Sequence, residues 1–109
     1  MIKHIVMWKF KDQAHGNDRA TNARLTREKL ESLRGRIPGL LHLEIGVDSS
    51  RIDYACDVVL LTDFASREAL AAYASHPEHL RVRQTLGDMR SERYQVDYET
   101  PTRLVAEPT

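Results

Sequence analysis

The sequence predicts an α+β sandwich, in which helical segments cover one face of a four-stranded antiparallel sheet. Four segments alternate apolar and polar residues with a period of two, and polar stretches with apolar residues three and four apart lie between them. The resulting order is strand, helix, strand, strand, helix, strand.

The first strand, Lys3 to Phe10, sets His4, Val6, Trp8 and Phe10 on one side and Ile5 and Met7 on the other, so both faces are apolar at the centre. From a cap at Asn17 or Asp18, Ala23, Thr26, Leu30, Leu33 and Ile37 follow at helical spacing. Charged residues fill the rest of that helix, and Ile37-Pro38-Gly39 ends it. Leu41, Leu43, Ile45 and Val47 then alternate with polar residues, the pattern of a strand with one buried face, and Asp48 to Asp53 is a turn. Tyr54 to Phe64 contains the densest apolar run, Val58-Val59-Leu60-Leu61, and reads as a central strand covered on both sides. Ser66 caps a short helix that carries Leu70 and Tyr73 among alanines. Ser75-His76-Pro77 interrupts it. Pro77 suits the first position of a new helix reaching Thr85 or Leu86, with His76 at or next to its cap. Arg93 to Tyr98 alternates again as the last strand. One domain over residues 1–100 is expected, followed by an arm or disordered tail from Pro101 to Thr109.

This order is that of the ferredoxin-like split βαβ unit. Helices on one face leave Ile5, Met7, Val59 and Leu61 uncovered in a monomer, which points to a homodimer packed sheet against sheet.

Composition narrows the function. A length of 109 residues suits a single core, and 16 Lys plus Arg against 16 Asp plus Glu give no net field to attract nucleic acid or an anionic membrane. No nucleic-acid or membrane partner is expected. The lone Cys56 excludes an internal disulfide and a cysteine-rich zinc site. No apolar run approaches the roughly 20 residues of a membrane span, and the start MIKHIVMWKFKD lacks a signal-peptide cleavage site, so a cytoplasmic location is expected. Glycine-rich dinucleotide turns and nucleophile elbows are absent.

Three stretches carry a resemblance: Lys3-His4-Ile5-Val6-Met7-Trp8-Lys9-Phe10-Lys11, Ile37-Pro38-Gly39, and Ala72-Tyr73-Ala74-Ser75-His76-Pro77-Glu78-His79. They resemble the stress-responsive dimeric α/β-barrel family, Dabb, over about Ile2 to Tyr98. The resemblance implies a ferredoxin-like subunit whose sheet closes with a partner's into a barrel. One plant member, olivetolic acid cyclase, closes a linear polyketide by intramolecular aldol condensation without metal or cofactor. By that likeness Tyr73, His79 and His4 are the candidate catalytic residues. The cyclase carries bulky aromatics on its first helix where this chain has Thr26, Arg27 and Leu30, so the substrate does not transfer with the residues.

Aldol closure needs a base, a donor for the enolate oxygen and a dry wall. His79 falls near the third position of the helix that Pro77 opens, where the helix dipole disfavours imidazolium. Tyr73 supplies a phenol and His4 a supporting imidazole. Val6, Trp8, Leu30, Val58, Leu60, Thr62 and His76 are the candidate pocket residues. The competing reading is a non-catalytic, stress-responsive dimer that binds a small apolar or polyketide-like ligand or acts through assembly, with the same residues only shaping the cavity. His4, His76 and His79 could offer three nitrogens to a metal, but their spacing matches no zinc motif, and neither metal nor cofactor is expected.

Overall fold

A computed structural model describes residues 1–101. The main elements are β1 (Ile2–Phe10), β2 (Gln13–Ala14), β3 (Asn17–Asp18), α1 (Arg19–Glu31), β4 (Leu40–Val47), β5 (Val58–Phe64), α2 (Arg67–Ala74), α3 (Pro77–Leu86) and β6 (Arg90–Glu99). β2 and β3 form a small hairpin of their own. The other four strands form one antiparallel sheet in the order β4-β5-β1-β6, with the helices on one side. This is the ferredoxin-like α+β arrangement expected from the element order. The proposed tail falls, apart from Pro101, outside the described residues.

The strand alternation sorts directly into two faces. Toward the helices β1 buries Val6, Trp8 and Phe10, β5 buries Val58, Leu60 and Phe64, and β4 adds Leu43 and Ile45. Leu30, Leu33, Ile37, Tyr73, Val82 and Leu86 close over them from the helical layer. The far face carries Ile5, Met7, Val59 and Leu61, and β6 extends it, because Val96 pairs with Ile5, Tyr94 with Met7 and Tyr98 with Lys3. Met7, Tyr94, Val96 and Tyr98 are exposed there.

Local chemistry sets the helix ends. Asp18, not Asn17, caps α1 by accepting a hydrogen bond from the Thr21 amide at 2.8 Å. The helix stops at Glu31, earlier than its apolar spacing suggested, because the chain turns through Gly35 at φ +76°. Leu33 and Ile37 still reach the core, but from that turn. Ser66 caps α2, and His76 caps α3 through Nδ1, which accepts from the Glu78 amide at 3.1 Å with Pro77 at the first turn.

Two strand boundaries differ from the sequence pattern. Residues 54–57 are loop rather than strand, and Tyr54 is almost fully exposed. The cause is Asp57, whose side chain accepts the Phe10 amide at 2.8 Å and so takes the place of a backbone acceptor. β6 begins at Arg90, three residues early, through a bulge at Ser91: Lys9 pairs with Glu92 and Phe10 with Arg90.

Candidate functional site

Between the sheet and the helices lies a cavity of about 520 Å³. Val6 and Trp8 of β1, Leu60 of β5, Leu30 of α1, and Val82 and Leu86 of α3 form its apolar walls. His4, Tyr73 and His79 also line it, and its more exposed lining comes from Arg83, Gly87 and the start of β6, Arg90 to Arg93.

The break between α2 and α3 builds the polar end. Tyr73 sits in the last turn of α2 and His79 in the first turn of α3, and the break brings the two rings together, tilted by 43° with 4.3 Å between centroids. Tyr73 also packs against Phe64 at 5.0 Å and edge-on to His4 at 6.1 Å. The three candidate catalytic side chains therefore meet, although 69 residues separate His4 from Tyr73 in sequence.

Hydrogen bonding decides what each ring can do. His79 Nδ1 faces the Ala74 carbonyl at 3.1 Å; a carbonyl only accepts, so Nδ1 carries the proton and Nε2 keeps its lone pair. Burial pushes the His79 pKa below its ordinary value of 6.5, and the neighbouring guanidinium groups of Arg83 and Arg93 act in the same direction, while the Ala74 bond opposes them. The imidazole is neutral at neutral pH. Burial pushes the Tyr73 phenol up to about 12, so it stays protonated and acts as a donor. His4 is 6% exposed, and its Nδ1 lies 2.5 Å from Asp97 Oδ1. The carboxylate accepts there, so His4 Nδ1 carries a proton. Asp97 is held in turn by the Gln95 amide at 2.8 Å, and the Thr62 hydroxyl donates to the His4 carbonyl at 2.8 Å. The indole N–H of Trp8 is buried without a partner among the described residues.

A family model described as Stress responsive A/B Barrel Domain, Dabb, matches residues 2–100. The chain belongs to the Dabb family. Its fold is similar to a dimeric ferredoxin-like protein of unknown function from Bacteroides fragilis, with 26% identity, a TM-score of 0.79, and coverage of 91% of this chain and 95% of that one. A dimeric ferredoxin-like protein of unknown function from Thermobifida fusca matches with 21% identity and a TM-score of 0.78 over 91% and 90% of the two chains. Hydroxynitrile lyase from Passiflora edulis shares the fold at 13% identity and a TM-score of 0.75 over 95% and 96%. Among curated proteins, none matches.

In this Dabb chain His4, Val6, Trp8, Leu30, Leu60, Tyr73 and His79 all line the cavity. Three expected pocket residues do not. Val58, paired with Trp8, is 1% exposed within the core and outside the lining, and Thr62 turns its hydroxyl onto β1. His76 spends Nδ1 on the α3 cap and lies outside the lining, which also separates it from any metal set with His4 and His79. Among the described residues, no group of three or more His, Cys, Asp or Glu is placed to hold a metal ion.

Sequence reasoning missed Val82, Arg83, Leu86, Arg90, Arg93 and Asp97. Counting from His79, the residues at plus three, plus four and plus seven are Val82, Arg83 and Leu86, so helical spacing alone held the first part of that signal. The β6 residues required knowing which strand lies beside β1, and in what register.

Proposed function

We propose that this Dabb protein is a homodimeric, cofactor-independent catalyst of proton transfer beside a carbonyl group, acting in aldol-type ring closure of a polyketide-like compound. The observation that supports this most is the Tyr73–His79 pair at the cavity, with the proton of His79 held on Nδ1 by Ala74. In this reading His79 Nε2 removes a proton from the carbon between two carbonyls. Tyr73 donates to the oxygen on which the enolate charge develops. The enolate carbon attacks a distant carbonyl of the same chain, forming the new C–C bond, and the imidazolium of His79 returns its proton to the resulting alkoxide. His4, set by Asp97, positions the Tyr73 end of the site. The apolar walls fold the substrate and exclude water.

Turnover of linear poly-β-ketones tests the reading. His79→Ala is expected to lower kcat by about 10² to 10⁴, and Tyr73→Phe by about 10² to 10³, with the fold intact by circular dichroism. Binding without turnover in the wild type, or turnover indifferent to His79, favours the second reading, a ligand-binding dimer. The unpartnered Trp8 N–H in an apolar wall suits such a ligand equally well.

A further inference from the structure

Three arginines converge on the cavity from two elements. Arg83 comes from α3, and Arg90 and Arg93 come from β6. Arg90 and Arg93 are three residues apart, and in a regular strand that odd spacing would send them to opposite faces. The bulge at Ser91 removes the conflict: Phe10 points to the helical side and Arg90 pairs with it, while Arg93 pairs with Trp8 on the same side. A local irregularity of the backbone thus gathers the charges. Arg90 is partly buried, and burial together with Arg83 and Arg93 lowers its pKa. None of the three has an ion-pair partner among the described residues. Arg90 gives one N–H to the Gly87 carbonyl at 3.2 Å. The nearest acidic residue of the lining, Glu92, is engaged by the Tyr94 hydroxyl of the open sheet face. Like charges held together beside an apolar cavity repel one another unless an anion joins them.

We infer that the cavity selects a substrate with an anionic group, a carboxylate held by Arg83, Arg90 and Arg93, while its apolar body runs along Trp8 and Leu30 and its carbonyl end reaches Tyr73 and His79. The inference rests on reading the cavity as a small-molecule site, and it assigns that molecule a charge. Guanidinium groups match a carboxylate through paired N–H donors, so neutral analogues of the same shape are disfavoured.

Trp8 is the chain's single tryptophan and lines the cavity, so its fluorescence reports occupancy directly. The test titrates wild type, the triple variant Arg83→Gln/Arg90→Gln/Arg93→Gln, and His79→Gln with 4-pentylbenzoate and with its methyl ester. The acid is expected to bind wild type and His79→Gln about tenfold or more tighter than the ester, with affinity falling as salt rises. In the triple variant the preference is expected to vanish while ester binding is kept. Equal binding of acid and ester by wild type, a preference that survives in the triple variant, or binding of neither probe overturns the inference. A clear charge preference alongside turnover indifferent to His79 would leave the inference standing and remove the catalytic reading alone.

Discussion

His79 is fixed by one hydrogen bond on one ring nitrogen, and that asymmetry makes a testable statement about pH. Its folded pKa lies below 6.5, so the neutral base is fully present at neutral pH and is lost as the pH falls through that lowered value. kcat/KM on a poly-β-ketone should therefore stay flat from about pH 7 upward and drop on the acid side below about 6.5. Tyr73, at about 12, adds no alkaline limb in the accessible range. An acid limb at or above pH 7 would show that another group is the base. The ring types of this site were legible in the sequence, because a Tyr followed by His-Pro-x-His is a compact motif. Asp97 was not. Its bond to His4 spans 93 residues, and no local pattern marks one aspartate of an edge strand as a partner.

At the scale of the element, the loop into β4 shows how tightly the helical layer is set. Gly39 sits at φ +81°, and a Cβ there would lie 2.6 Å from the Cβ of Ala69 on α2. Gly35 has nearly the same backbone angle, φ +76°, with nothing within 4 Å of the same position. The two glycines make a matched pair. Gly35→Ala is expected to cost about 1 kcal/mol from backbone strain alone, and Gly39→Ala about 2–4 kcal/mol because α2 must also shift. Urea denaturation of both variants measures the difference; equal costs would show that the loop and helix yield freely. The strands were read well, because alternation is a local signal that burial on either face leaves intact. Their ends were read poorly where a side chain replaced a backbone acceptor, as at Asp57, or where a bulge changed the alternation, as at Ser91.

Across the whole molecule, the sheet has one face too many for its helices. Ile5, Met7, Val59, Leu61, Tyr94, Val96 and Tyr98 form a continuous apolar surface, and Lys3 and Asp63 meet on it at 2.8 Å. An exposed apolar surface of this kind on a small domain calls for a partner, and a stable pairing buries roughly 1,200–2,000 Å² in total. Wild type is expected to sediment as a dimer, and the double variant Met7→Arg/Val96→Arg as a folded monomer. A monomeric wild type, or a variant that still dimerises, would place the interface elsewhere. The four uncovered apolar positions anticipated on that face lie there because β1 and β5 are central strands, whereas the contribution of β6 became clear only from its register.

The pairing of β1 with β6 also orders events in time. β1 is made first, yet its two hydrogen-bonding neighbours are the last strands but one and the last. During synthesis it must wait, with both edges open, until β5 has emerged, and its second edge stays open until β6 follows. The His4–Asp97 bond and the arginines of β6 join the cavity at that final step. A nascent chain halted after α3 would already hold Tyr73 and His79 in sequence, but neither the carboxylate that sets His4 nor two of the three charges beside the cavity, so competence for ligand arrives all at once with the closing strand.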